Sequence, residues 1–151
     1  MIRVIMGKKG TGKTKQMIDM INEAVQSEHG NVVCIEKGSK LTFDIHYQIR
    51  LVDSSEYDVA NFTALKGFIS GLHAGNYDIT HIFIDSLTKI VPTDGYNDVE
   101  DFLNWLNNFG EKMDESVIRL VEAYLDGNLE AFGRKWEELP LAKRDQIGRT
   151  V

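Results

Sequence analysis

The tightest constraint on this chain is the octapeptide Gly7-Lys-Lys-Gly-Thr-Gly-Lys-Thr14, set between a short apolar run and an amphipathic stretch. Met1 to Met6 reads as a buried strand, and Lys13 to Ser27 as a helix with Met17, Ile18, Ile21, Ala24 and Val25 on one face. Glycines at 7, 10 and 12 let the loop curl until successive backbone N–H groups face a common centre. The helix that starts near Lys13 adds the positive end of its dipole. A turn of this kind is an anion cradle with an ammonium group at its lip. The bland alternative is a glycine-rich turn with a solvated lysine, and the flanking strand and helix weigh against it.

The spacing is that of G-x-x-x-x-G-K-[ST], in which backbone amides hold phosphates, the lysine reaches the β- and γ-phosphates and the final hydroxyl binds Mg²⁺. The expected ligand is therefore a nucleoside triphosphate, ATP with Mg²⁺. Its binding residues are Gly7, Lys8, Lys9, Gly10, Thr11, Gly12, Lys13, Thr14 and the adjoining Lys15. No Asn/Thr-Lys-x-Asp sequence is present to read guanine, since Thr88-Lys89 is followed by Ile90-Val91.

His29-Gly30 closes the first helix, and Asn31 to Glu36 reads as the next strand, completing a βαβ unit with its right-handed crossover. Leu41, Phe43, Ile45, Tyr47, Ile49 and Leu51 then alternate with polar residues. That period predicts strand structure with one wet face, either one long edge strand or a hairpin bent near Asp44 to His46. As an edge it would offer its even-numbered face to another subunit. Asp58 to Ala74 reads as a helix, Thr80 to Asp85 as a third buried strand, and Asp98 as the cap of an amphipathic helix bearing Val99, Phe102, Leu103, Leu106, Phe109 and Met113. From Glu115 onward the periodicity reads as helical throughout, which divides the chain into a 1–113 core and a 114–151 helical extension of the same domain.

Ile82-Phe-Ile-Asp85 has the form of a strand that carries a carboxylate to the cradle, where it would hold Mg²⁺ directly or through water. An aspartate capping the next turn is the alternative. The residue after it is Ser86, not the glutamate that often orients an attacking water.

Ile84-Asp-Ser-Leu-Thr88, taken with Gly7 to Thr14, resembles the Walker B and Walker A segments of the RecA/KaiC-like ATPases among the P-loop NTPases. The resemblance covers residues 1 to about 113 and implies a three-layer α/β/α P-loop NTPase fold with a mostly parallel sheet, here with a helical C-terminal segment. It implies ATP hydrolysis with Lys13, Glu36 and Asp85 as catalytic residues and Thr14 and Asp85 as metal ligands. Glu36 takes the role of general base because the family's catalytic glutamate ends the strand after the first helix. A strand-end carboxylate paired with Lys37 or Lys40 in solvent is the competing reading. Ser86 and Thr88 would sense the γ-phosphate or cap the turn. Family sheets also insert a strand between the two motif strands. Here either Val117 to Val121 supplies it against its helical periodicity, or the sheet lacks it, as in nucleotide kinases. Rings and filaments in the family make a homo-oligomer or protein partner an expectation by analogy.

Composition narrows the rest. The chain has 151 residues with 42% hydrophobic content, enough for one domain with a true core. Its net charge of −6 argues weakly against duplex nucleic acid. The single cysteine, Cys34, fits a reducing cytoplasm, and no run approaches the ~20 apolar residues that span a bilayer. The four histidines lack metal-ligand spacing, Arg50, Arg119, Arg134, Arg144 and Arg149 could each act as an arginine finger or be ordinary surface residues, and Trp105 and Trp136 read as packing residues. A small-molecule or nucleoside kinase and a nucleotide-dependent binding module without hydrolysis stand beside the ATPase as alternatives.

Overall fold

The computed structural model describes residues 2–7, 13–27, 29–92, 96–112, 120–126 and 147–150. Six strands form one sheet: β1 (Ile2–Gly7), β2 (Asn31–Glu36), β3 (Arg50–Asp53), β4 (Ile79–Ile84), β5 (Leu120–Asp126) and β6 (Ile147–Thr150). Their order across the sheet is β3-β2-β4-β5-β1-β6, and all five pairings are parallel. The helices are α1 (Lys13–Ser27), α2 (Phe62–Gly75), the single turn α3 (Leu87–Ile90) and α4 (Tyr96–Lys112). A 3₁₀ turn at Ser54–Tyr57 follows β3.

Alternate residues of the central strands serve two cores. Val32 and Cys34 of β2 and Phe83 of β4 pack with Met17, Ile21 and Ala24 of α1. Val33 and Ile35, with Ile82 and Ile84, pack on the other side against Leu65 and Ile69 of α2, Leu87 and Ile90 of α3, and Val99, Phe102 and Leu106 of α4. Helix, sheet, helix is the three-layer arrangement. Burial on both faces is why β2 and β4 read as unbroken apolar runs, as parallel strands do. Trp105 stacks between Phe102 and Phe109 on α4, which is a packing role. Asn61 caps α2 by accepting the Ala64 N–H at 2.7 Å, and α4 starts at Tyr96, two residues ahead of Asp98.

Two expectations fail. Residues 41–49 are not a strand. Asp44 and Ile45 both donate backbone N–H groups to the Leu41 carbonyl, and Ile49 donates to that of His46, so the chain makes successive tight turns before β3 begins at Arg50. In this geometry the buried apolar residues recur every fourth position, at Leu41, Ile45 and Ile49, which roof the α1 side of the sheet. Phe43 and Tyr47 point away, 98% and 87% exposed. The period of two was two interleaved periods of four.

The second correction concerns the C-terminal segment, which is not wholly helical. Leu120–Asp126 is strand β5 and Ile147–Thr150 is strand β6, on either side of β1. β5 lies between β4 and β1, a few residues later in the chain than Val117 to Val121. Trp136, with the rest of 127–146, falls outside the described residues.

Candidate functional site

In an open parallel sheet, ligands meet the carboxyl ends of the strands, and here those ends carry an unusual row of acidic groups. β1 ends at Gly7, in register with Asp126 at the end of β5. β2 ends at Glu36 and β3 at Asp53, which are register partners. Asp85 is the first residue beyond β4. Sequence reasoning picked out Glu36 and Asp85 and missed Asp53 and Asp126. The visible signal for Asp53 was an acidic strand end running into Ser54-Ser55, a turn sequence.

Of the residues expected to form an anion cradle, Lys8, Lys9, Gly10, Thr11 and Gly12 lie outside the described residues. What is described frames them: Gly7 closes β1, and α1 opens at Lys13, with Thr14 and Lys15 exposed in its first turn. That turn contains no acidic residue and two lysines. Lysines at the positive end of a helix dipole are unfavourable by themselves, and an anion at the same end offsets them.

Asp85 is locked by its main chain. Its N–H donates to the Ile35 carbonyl at 2.8 Å, carrying the β2–β4 ladder one residue further. Its half-buried carboxylate accepts the Ser86 hydroxyl at 3.2 Å. Ser86 is left-handed, with φ 53° and ψ 61°, and caps α3. For a residue with a Cβ this conformation costs about 1–2 kcal/mol, and such strain tends to gather at functional sites.

Glu36 is only 2% exposed. One carboxylate oxygen accepts the Lys40 N–H at 2.7 Å and the other the Leu41 N–H at 3.3 Å. The group is turned onto the backbone of the following turn, not out to a lysine in solvent. Burial raises its pKa, Asp85 and Asp53 add to the rise, and the two amides pull against it. Asp53 goes the other way: the Ser55 hydroxyl, then the Gly38 and Ser55 amides, hold its carboxyl below the ordinary aspartate range. Its Oδ1 accepts all three, from Gly38 at 2.8 Å and from the Ser55 amide and hydroxyl at 3.0 and 2.6 Å. Gly38 has φ +100°, where a side chain would be strained. Cys34, two residues inside the end of β2, has its thiol pushed well up by burial and by the charges of Asp85 and Glu36. It is a core residue, packed with Met17, Ile21 and Phe83.

β5 keeps the two motif strands apart. Ile84 pairs with Ala123, and Met6 pairs with Leu125. Two strand spacings of about 4.8 Å therefore separate β1 from β4.

The fold is that of the P-loop NTPases. One similar solved structure is the flagellar accessory protein FlaH from Methanocaldococcus jannaschii, at 13% identity and a TM-score of 0.55, with 98% of this chain and 70% of that chain covered. Another is the ORC2 protein of Aeropyrum pernix in its ADPNP–ADP complexes, at 19% identity and a TM-score of 0.49, covering 98% of this chain. This chain spans 40% of the length of ORC2. At these identities the likeness is one of fold. No protein-family model matches the sequence, and no curated protein matches it. Among the described residues no helix is long and apolar enough to cross a membrane.

The residues present suit Mg²⁺. Among the described residues no three His, Cys, Asp or Glu side chains gather to hold a metal unaided. The Thr14 hydroxyl and the Asp85 carboxylate are hard oxygen donors of the kind Mg²⁺ takes, one or two from the protein and the rest from water and phosphate.

Proposed function

We propose that this protein binds ATP with Mg²⁺ at the loop Gly7 to Thr14 and hydrolyses it, in the manner of RecA/KaiC-like ATPases. The observation that carries the reading is the place of β5 between β1 and β4. It is the inserted strand that this group of sheets has, and it stands between the strand leading into the loop and the strand ending at Asp85.

In this reading the loop amides and Lys13 bind and orient the triphosphate. Thr14 and Asp85 hold Mg²⁺, which would neutralise charge on the phosphate oxygens. Glu36 accepts a proton from the attacking water. Its proton affinity is raised by burial, which favours its acting as a base, but in the present arrangement both its oxygens already serve backbone amides. Calorimetry with ATP, GTP and ADP, with and without Mg²⁺, tests the binding step. Lys13→Ala should abolish triphosphate affinity, and retained affinity would end the proposal. Hydrolysis is tested separately: unchanged turnover in both Glu36→Gln and Asp85→Asn would remove the catalytic half.

A second reading has its own support. With Glu36 engaged by Lys40 and Leu41, and Ser86 where a glutamate often stands, the chain would bind ATP without hydrolysing it and act as a nucleotide-dependent binding module. Tight binding with no phosphate release is its signature. A kinase reading would draw on direct contact between the two motif strands, and β5 takes that support away.

A further inference from the structure

Glu36 is held away from solvent. The residue is 2% exposed, and its two carboxylate oxygens accept the Lys40 N–H at 2.7 Å and the Leu41 N–H at 3.3 Å. A group that is to take a proton from water has first to leave this position. Hydrogen bonds to an ionised carboxylate are among the stronger ones a protein makes. Departure therefore depends on how firmly the turns at 38–49 keep those two amides in place.

The turns are fixed from both sides. At their start, Asp53 accepts the Gly38 N–H at 2.8 Å. Asp53 is the register partner of Glu36, so adjacent strand ends grip one turn, and the chain bends between the two grips through Gly38 at φ +100°. Further on, the Leu41 carbonyl accepts the N–H groups of Asp44 and Ile45 at 3.0 and 3.1 Å. Asn22 closes the set. Its side chain donates to the Asp44 carbonyl at 3.0 Å and accepts the His46 N–H at 2.9 Å. These partners lie 22 and 24 residues away in the chain, so the Asn22 side chain orders the turns and not its own helix. That helix is α1, which opens at Lys13. A short hydrogen-bonded path thus runs from α1 through Asp44 and Leu41 to Glu36.

We propose that Asn22 and Asp53 are positioning residues that act on Glu36 through the 38–49 turns, keeping it on the Lys40 and Leu41 amides and so restraining ATP hydrolysis. This restraint matters only if Glu36 is the general base, as proposed for hydrolysis above. With the turns loosened, a Glu36 oxygen takes a proton from the water whose oxygen bonds to the γ-phosphorus, while the bridging oxygen departs with ADP. The Leu41 contact is the longer of the two and the first to open. Loosening contacts remote from the phosphates then speeds the reaction, where loss of a merely structural contact would slow it or leave it alone.

Steady-state ATP turnover, calorimetry with ATP and NMR amide exchange on the full chain test this together. Asn22→Ala should raise kcat by about fivefold or more, the lower end of ordinary coupling between sites, with KM for ATP close to wild type and faster exchange at Lys40 and Leu41. Asp53→Ala should move turnover and exchange in the same direction. Asn22→Asp keeps the acceptor for His46 and loses the donor to Asp44, and should fall between. Phe43→Ala, in the same turns but 98% exposed, should match wild type. The gain should vanish in Asn22→Ala/Glu36→Gln, which ties it to the carboxylate. Faster exchange at Lys40 and Leu41 without a gain in turnover overturns the inference, as does a gain that survives Glu36→Gln. A wild type that binds no ATP removes the ATP reading and the inference together. One that binds ATP, with no variant gaining turnover, removes the inference alone.

Discussion

Asp85 raises the proton affinity of Glu36 across the carboxyl ends of neighbouring strands. The two are joined through the main chain, because the Asp85 N–H donates to the carbonyl of Ile35, the residue before Glu36. Burial is the larger cause of the rise and the Asp85 charge adds to it. Replacing Asp85 with Asn should therefore lower the Glu36 pKa without returning it to the ordinary glutamate range. Carboxyl-carbon NMR titration of the two proteins measures the difference, and an unmoved Glu36 would show that the two groups do not interact.

Glu36 also makes stability depend on pH. A carboxyl whose folded pKa lies above its unfolded value stabilises fully below the unfolded pKa and loses that contribution as pH rises through the folded one. Against this stands its structural use, since Glu36→Ala leaves the Lys40 and Leu41 amides without their acceptor, at about 1–3 kcal/mol for each that stays buried. Denaturant unfolding at several pH values should find Glu36→Ala less stable than the wild type. The gap should narrow as pH climbs through the raised Glu36 pKa.

Asp53 carries the opposite sign. Its lowered pKa contributes stability above the unfolded aspartate value, lost as pH falls through the folded one. Asp53→Ala should flatten the acid limb of the stability profile while leaving the neutral side parallel to wild type. An unchanged acid limb would mean that the hydrogen bonds from Ser55 and Gly38 do not persist in solution.

The two interleaved periods of four in 41–49 separate cleanly by substitution. Leu41→Ala, Ile45→Ala and Ile49→Ala should each destabilise by about 2–5 kcal/mol, as buried aliphatic truncations do. Phe43→Ala and Tyr47→Ala should stay within about 0.5 kcal/mol, in the range of surface changes. A true alternating strand would penalise all five, so equal losses at Phe43 and Ile45 would reject the geometry.

Gly30 lies where α1 turns into β2, and a Cβ there would collide with Thr80 and the Asp78 carbonyl. Asp78 accepts the neighbouring Asn31 N–H at 2.7 Å, so the backbone has little room to yield. Gly30→Ala should cost about 1–3 kcal/mol by overpacking, read as a lowered midpoint of thermal unfolding.

The sequence was legible wherever local pattern and global position agree. β2 and β4 announced themselves because a strand buried on both faces is an apolar run, and α1 because it shows one clean stripe. The 41–51 stretch was misread because odd-numbered apolar residues satisfy a period of two whether or not they share a face. Only hydrogen bonds to Leu41 and His46 reveal the turns. β5 was misread because Val117, Leu120, Val121 and Tyr124 fit a helix locally, while the strand is made by pairing with β1 and β4, far away in the chain. The role of Glu36 as acceptor for the Lys40 and Leu41 amides left no mark in the sequence, since nothing in residue type tells a strand-end carboxylate which way to turn.

The seat of β1 between β5 and β6 bears on how the protein comes into being. Ile2 has its sheet neighbours at Val121 and Ile147, so β1 leaves the ribosome well before either strand that flanks it. Until some hundred further residues have been made, the stretch leading into the glycine loop has no flanking strand to hold it straight. A nascent chain stalled before Leu120 should then be unable to retain a triphosphate, whatever residues 7–14 spell.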